Sequence, residues 1–345
     1  MAQILVTGGT GYIGSHTAVE LINAGYEVLI VDNLSNSRAD TIDGIEKITG
    51  VRPKLEVFDL CDKEKVFQLF KDNNIDAIIH FAALKAVGES TEIPLEYYHN
   101  NIESLINLLM AMREFKTSSI VFSSSCTVYG QPDELPVTEK APTKKALAPY
   151  GNTKQIAEEI IEDTINAIRG INAIALRYFN PIGAHPTALI GELPIGVPLN
   201  LVPFLTQAAY GIRDSIKVFG NDYNTPDGSG VRDYINVVDL AKAHVIAVER
   251  MLQGKNKSNF EIFNLGTGKG TSVLEIIQTF EKVNNLKLNY QIVDRRAGDI
   301  EQVWADTRYA NEELGWKAEI PLDDTLTSAW KWEQFIREKL AKENS

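Results

Sequence analysis

With 345 residues, 44% of them hydrophobic, the chain is long enough for two domains and a sizeable buried core. Its 34 Lys and Arg against 46 Asp and Glu give a net charge of −12, which argues against a nucleic-acid or anionic-membrane surface and means that any phosphate site must be built locally. Cys61 and Cys126 are too few for a disulfide framework and read as reduced thiols, and His16, His80, His99, His185 and His244 lack the paired spacing of a metal site.

No Lys or Arg precedes Arg38, and the first apolar run is only Ile4 to Val6. Nothing approaches the ~20 apolar residues of a membrane span, so neither a secretory signal nor a span is expected and the protein should be cytoplasmic. The apolar run feeds directly into Thr7-Gly8-Gly9-Thr10-Gly11-Tyr12-Ile13-Gly14-Ser15 and then into a helical pattern through Ala18, Leu21 and Ile22. Gly9, Gly11 and Gly14 match G-x-G-x-x-G, and Gly8, Gly11 and Gly14 match G-x-x-G-x-x-G. Such glycines let the backbone approach a pyrophosphate, whose charge meets the positive end of the helix. A second strand, Glu27 to Val31, ends at Asp32, near the ~20-residue spacing expected of a ribose-binding acid. That acid would bond the ribose hydroxyls and repel a 2′-phosphate, which favours NAD over NADP. Arg38 is close enough to argue the other way, but it reads more simply as a solvated loop charge.

Apolar runs then alternate with helical patterns, giving strands near 4–7, 27–32, 54–59, 76–82, 119–124 and 173–178. This order predicts an α/β fold with a doubly wound parallel sheet built from right-handed crossovers. Asp62 is placed to cap a helix carrying Val66, Phe67, Leu69 and Phe70, and 101–115 carries apolar residues at 102, 105, 106, 109 and 112. Tyr150 and Lys154 are four apart on one helical face, with Ser125 upstream in Ser123-Ser124-Ser125-Cys126-Thr127. A phenol beside a fixed ammonium is a candidate base. Moving a Tyr from about 10 to about 7 needs roughly 4 kcal/mol of stabilisation of the phenolate, which a nearby Lys and a cationic nicotinamide could supply.

After Asn180 the composition shifts to prolines and glycines, and 221–230 is equally loop-like, which marks long functional loops. The expected division is a dinucleotide-binding Rossmann domain over 1–180 and a smaller substrate domain over 181–345, with the chain returning to the first sheet somewhere within 234–265. A C-terminal helix follows Pro321, with Leu322, Leu326, Ala329, Trp330 and Ile336 as its buried side and fraying expected after Leu340. The candidate polar residues Asp32, Asp59, Lys85, Ser123 to Ser125 and Tyr178 to Asn180 all fall at predicted strand ends, where open α/β sheets bind ligands.

With the glycine turn, Ser125, Tyr150 and Lys154 in order, the chain resembles the extended short-chain dehydrogenase/reductase superfamily and, within it, the UDP-glucose 4-epimerase family. Segments that carry the resemblance include Leu84-Lys85-Ala86-Val87-Gly88-Glu89-Ser90, Arg177-Tyr178-Phe179-Asn180-Pro181, Phe219-Gly220-Asn221-Asp222-Tyr223 and Gly230-Val231-Arg232-Asp233-Tyr234. The resemblance implies an NAD-dependent isomerase of galactose metabolism, acting as a homodimer through the helices of 101–115 and 152–166. It implies that Tyr150, Lys154 and Ser125 are catalytic. NAD would be surrounded by Gly8, Gly11, Tyr12, Ile13, Gly14, Asp32, Asn33, Asp59, Leu60, Phe81, Ala82, Ala83, Lys85, Asn100, Ser123, Tyr150, Lys154 and Tyr178. A UDP-sugar would be held by Lys85, Ser125, Tyr150, Asn180, Asn200, Leu201, Lys217, Val218, Phe219, Arg232, Arg296, Asp299 and Val303. Two arginines suit a diphosphate inside an acidic protein.

The chain departs from the family pattern at Ala83, where a Gly is common, at Cys126, where an Ala is common, and at Leu199, where an Asn often stands. Val303 replaces a bulky Tyr of the stricter members, so UDP-N-acetylglucosamine is expected to be accepted beside UDP-glucose and UDP-galactose. A nucleotide-sugar 4,6-dehydratase is the nearest rival. It needs an Asp-Glu acid/base pair where this chain has Cys126 and Thr127. A non-catalytic NAD-binding regulator would have no use for Ser125, Tyr150 and Lys154 together.

Overall fold

The computed structural model describes residues 1–296 and 300–343. Seven parallel strands form the central sheet: β1 (Gln3–Thr7), β2 (Glu27–Asp32), β3 (Lys54–Val57), β4 (Ala77–His80), β5 (Ser119–Ser125), β6 (Asn172–Tyr178) and, supplied much later in the chain, Phe260–Leu265. Helices α1 (Tyr12–Asn23), α2 (Thr41–Thr49), α3 (Lys63–Asp72), α4 (Val87–Glu92), α5 (Pro94–Phe115) and α6 (Pro149–Ala167) fall between the first six. The inner strands are apolar on both faces because both are covered. In β1, Ile4 and Val6 join one buried cluster and Leu5 the other, and all three are fully buried.

The remaining elements are β7 (Asn180–Ile182), α7 (Leu201–Ala209), β8 (Ile216–Phe219), β9 (Val231–Arg232), β10 (Tyr234–Asn236), α8 (Val237–Leu252), β11, the sheet strand at 260–265, β12 (Thr271–Ser272), α9 (Val273–Asn284), β13 (Tyr290–Val293), β14 (Gln302–Val303) and α10 (Leu322–Glu343). The sheet order is β11-β6-β5-β4-β1-β2-β3. The connections therefore run away from β1 in both directions, and the loops after β1 and β4 part to leave a crevice at the carboxyl ends of the strands. Short pairs, β7 with β10, β8 with β13, and β9 with β12 and β14, extend the molecule beyond that edge.

Several expected boundaries move. Helix α5 begins at Pro94 rather than near 101, with Leu108 and Ala111 fully buried and Ile102 and Ile106 only partly so. A proline fits the first turn of a helix, where its missing N–H costs nothing. Asp62 does cap α3, accepting from the Lys65 N–H at 3.2 Å. Helix α10 continues to Glu343, with Trp332 buried and Leu322 and Trp330 only partly covered. Among the described residues no helix is long and apolar enough to cross a membrane.

Candidate active site

A cavity of about 590 Å³ opens at the crevice between β1 and β4. Its floor is the turn from β1 into α1. Gly8 has φ +69° and lies so close to β4's exit that a Cβ there would sit 2.8 Å from the Ala82 nitrogen. A Cβ on Gly14 would collide with the Gly8 carbonyl oxygen. These two glycines are thus required by backbone approach, and the approach leaves the first N–H groups of α1 facing the cavity.

At the end of β2, Asp32 Oδ1 accepts from Leu34 N and Ser37 Oγ, both at 2.9 Å, and Oδ2 accepts from Thr10 N at 3.2 Å. Its carboxylate is therefore fixed at the cavity wall. Arg38 also lines the cavity, but its guanidinium forks onto Asp40 at 2.9 and 3.0 Å and reaches Glu343 at 2.9 Å. With its charge answered by two carboxylates, Arg38 is poorly disposed to bind a 2′-phosphate. Asn33 donates to Asp59 at 3.0 Å, and Asp59 accepts from Cys61 N at 2.8 Å, so the loops after β2 and β3 share one hydrogen-bonded rim.

Every residue expected around a dinucleotide lines this single cavity: Gly8, Gly11, Tyr12, Ile13, Gly14, Asp32, Asn33, Asp59, Leu60, Phe81, Ala82, Ala83, Lys85, Asn100, Ser123, Tyr150, Lys154 and Tyr178. Among the described residues no cluster of three or more potential metal ligands occurs.

At the inner end, α6 presents Tyr150 and Lys154 over the end of β5. Lys154 Nζ donates to the Ser123 carbonyl at 2.7 Å and lies 4.9 Å from the Phe122 ring centre and 5.8 Å from that of Tyr150. The Tyr178 hydroxyl bonds the Ser123 hydroxyl. Ser125 Oγ accepts from Thr127 N at 3.2 Å, which holds the turn that follows β5. Burial pushes the Tyr150 phenol up to about 12, the bond with Ser125 opposes that rise, and the Cys126 thiol adds to it. Burial lowers Lys154 to about 8, against the opposing charge of Glu158. The expected depression of Tyr150 is therefore absent in the protein alone, because the ammonium is spent on a backbone carbonyl and burial penalises the phenolate.

The UDP-sugar candidates divide. Lys85, Tyr150 and Asn200 line the cavity. Asn180, in β7, adjoins it two residues after Tyr178, and Leu201 opens α7 directly behind Asn200. Lys217 and Phe219 point outward from β8, whereas Val218 is buried in the core between β8, α9 and α10, so only its backbone is available to a ligand. Arg296 lies 5.4 Å from the Phe219 ring centre, and Arg232 donates to Val231 O at 2.9 Å. Val303 pairs in register with Arg232 and is buried with Val128, Tyr129 and Phe179, with Cys126 packed against the same cluster. Asp299 lies outside the described residues.

The residues missed by sequence are those that close the cavity from far away. Leu189 to Leu193, with Trp332, Phe335 and Lys339 of α10, line the outer wall. Glu192 approaches Lys85 Nζ at 3.3 Å and accepts from Asn200 Nδ2 at 2.9 Å, and its carbonyl accepts from Trp332 Nε1 at 2.9 Å. Nothing local marks Glu192, because two of its three partners, Lys85 and Trp332, come from remote segments.

A family model described as GDP-mannose 4,6 dehydratase matches residues 5–329. The chain is 50% identical over 330 residues to the UDP-glucose 4-epimerase of Bacillus subtilis (strain 168), covering 96% of each. The structure of UDP-glucose 4-epimerase from Stenotrophomonas maltophila, with bound NAD and formylated UDP-arabinopyranose, is similar at a TM-score of 0.95 and 46% identity, covering 98% of this chain and 100% of that one. That from Bifidobacterium longum, in complex with NAD+ and UDP, gives 0.93 and 46%, covering 97% and 98%. The dehydratase description is the broad one, since positions 126 and 127 hold Cys and Thr instead of an acid pair. Half-identity along almost the entire length is the narrower finding, and by it the chain belongs to the UDP-glucose 4-epimerase family of the extended short-chain dehydrogenases/reductases.

Proposed function

We propose that this enzyme interconverts UDP-glucose and UDP-galactose at the sugar C4, using NAD held in the 590 Å³ cavity. The single observation that carries the reading is the convergence of the glycine cradle, Asp32, Ser123, Tyr150 and Lys154 on one crevice. The cradle fits a dinucleotide: Gly8 and Gly14 let the turn close tightly against β4's exit and the start of α1, where a pyrophosphate would meet the helix N-terminus, and Asp32 stands where the adenosine ribose would fall. When bound, NAD supplies a reversible hydride acceptor and a positive charge near Tyr150.

Tyr150 takes the proton from the sugar 4-hydroxyl, Ser125 orients the same oxygen, and Lys154 holds the positive charge that favours the phenolate. Once the sugar is a 4-keto compound it turns about its diphosphate linkage, and Tyr150 returns the proton to the oxygen on the other face. Arg232 and Arg296 grip the diphosphate while the hexose rotates, so binding energy belongs on the nucleotide. Val303, smaller than Tyr, leaves room for an N-acetyl group at C2, which extends the substrate range to UDP-N-acetylglucosamine. The same reading places the enzyme in the cytoplasm as a homodimer joined through the helices of 101–115 and 152–166, which pack on each other here.

Purified protein incubated with UDP-galactose should yield UDP-glucose without added cofactor, and acid-released NAD should be near stoichiometric. Absence of any turnover in protein that retains NAD would refute the reading. A parallel incubation with UDP-N-acetylglucosamine tests the substrate range, and sedimentation of the native protein tests the dimer.

A further inference from the structure

We propose that Glu158 is a positioning residue for the reaction, clamped by Arg177 and Ser124 on the side of β5 away from Ser123 and Ser125 so as to provide the buried counter-charge for Lys154. The inference rests on the function proposed above, and it concerns a part of the molecule that touches neither substrate nor cofactor.

Glu158 follows Lys154 by one helical turn on α6, so the two side chains share a face. It is buried to 6% exposure and its carboxylate is fully engaged. Oε1 accepts from Ser124 Oγ at 2.5 Å and from Arg177 Nε at 2.9 Å, and Oε2 accepts from Arg177 Nη2 at 2.5 Å. Ser124 and Arg177 are register partners across β5 and β6, and their neighbours Ser125 and Tyr178 are the next pair. Side chains alternate along a strand, so both members of the Ser124–Arg177 pair meet Glu158 while the Ser125–Tyr178 pair faces the reaction side. The guanidinium also lies 4.9 Å from the ring centre of Tyr129, in the turn that directly follows Ser125, and Tyr129 bonds Asn264 at 2.7 Å. One carboxylate thus ties α6, β5, β6 and the Ser125 turn together.

Such a clamp has an electrostatic consequence. Facing Lys154 are Tyr150 and Glu158 from α6, the Phe122 ring and Ser123 carbonyl from β5, and His80 from β4, which burial and the Lys154 charge keep neutral. Tyr97 of α5 faces Tyr150 and donates to Glu89 at 2.6 Å, while Asn101 bonds Thr153 at 3.1 Å. Among these, Glu158 is the anion whose charge supports the Lys154 ammonium, against a burial that pulls it down to about 8. Glu158 lies one turn from Lys154 on the same face of α6, and Arg177 and Ser124 hold its carboxylate there, so the clamp fixes where this negative charge sits relative to the ammonium.

The test uses the full-length enzyme carrying Glu158→Gln together with Arg177→Met, which removes both charges of the clamp so that neither of them is left unpaired, and separately Ser124→Ala. The expected result for the double variant is retained NAD and a KM within about 2-fold of the parent, with kcat above pH 8 reduced roughly 10-fold as the alkaline limb moves to lower pH by about one unit. Ser124→Ala should shift the same limb in the same direction by less. A purely structural clamp would instead lower the melting temperature and leave the pH profile of the folded fraction unchanged. That outcome in the double variant overturns the proposal. If the double variant does not fold, an unchanged alkaline limb in Ser124→Ala overturns it.

Discussion

Burial at Tyr150 opposes the role proposed for it. Bringing a phenol from about 12 to near neutrality takes roughly 7 kcal/mol at 1.36 kcal/mol per unit. Lys154 supplies part of this at most, since its ammonium donates to the Ser123 carbonyl and the Tyr150 ring centre is 5.8 Å away. Only the phenolate can take the substrate proton, so the rest of the stabilisation would have to come from the positive charge that a bound nicotinamide supplies, with Ser125 bonded to the same oxygen. Tyr150→Phe should keep NAD and UDP affinity and lower kcat by ~10² to 10⁴, the usual contribution of a positioned base. Near-parental kcat in that variant would remove Tyr150 from the mechanism. At the other end of the cavity, Asp32→Ala deletes a carboxylate bonded to Thr10, Leu34 and Ser37 and the negative charge beside the ribose position. We expect weaker NAD retention and measurable NADP binding, read by fluorescence titration of cofactor-stripped protein. Retention of stoichiometric NAD with continued rejection of NADP would show that selectivity resides elsewhere.

At the scale of elements, the first half of the chain was legible because strand period, glycine turn and helix caps are local signals. The strand from Gln3 to Thr7, the Asp62 cap and the Tyr150–Lys154 face are each specified within a dozen residues. The outer wall is different. Glu192 meets Lys85 and Trp332 across 107 and 140 residues, and no period or motif announces such a meeting. The same limit explains α5, whose buried stripe is set by the helices α3 and α6 that pack on it rather than by its apolar count alone. In β8 the signal is local again, since alternation sends Val218 inward between outward Lys217 and Phe219. Strand β14 is where element and specificity meet. Val303 lies in register with Arg232, and its cluster includes Phe179 and Cys126, so a larger side chain there must push toward the hexose or into the core. Val303→Tyr should abolish turnover of UDP-N-acetylglucosamine and spare UDP-glucose within several-fold, as measured by kcat/KM on both. Equal losses on the two substrates, with a lowered melting temperature, would assign Val303 to the core alone.

Considered as a whole, a molecule of charge −12 sets Arg38, Lys85, Lys154 and Lys339 around the crevice, while many of its other cations, Arg52, Arg177 and Arg250 among them, pair with carboxylates. The buried imidazoles are the counterpart of that arrangement. His16 and His244 each place Nδ1 on a helix carbonyl, at 2.7 and 2.8 Å, while Nε2 is buried without a partner, and His80 lies 2.8 Å from Thr7 Oγ1. Burial lowers His16 and His80 to about 3 and His244 to about 4. A histidine whose folded value lies below its unfolded value of about 6.5 contributes its full stability above pH 6.5 and loses it as the pH falls toward the folded value. Between about pH 6 and pH 4.5 the unfolded chain takes up three protons that the folded chain refuses. Stability should then fall by roughly 4 kcal/mol per pH unit. Glu139 and Asp233, raised by burial, act in the opposite sense and moderate the slope. His244 is the cleanest probe, since its ring packs 4.7 Å from Phe81 and 5.6 Å from Tyr178 and an aromatic replacement keeps that contact. His244→Phe should reduce the pH slope of the unfolding free energy by about one proton, determined by urea titrations at half-unit steps from pH 7 to pH 5. An unchanged slope would mean that His244 is already protonated in the folded enzyme, its buried Nε2 satisfied by a bound water or anion.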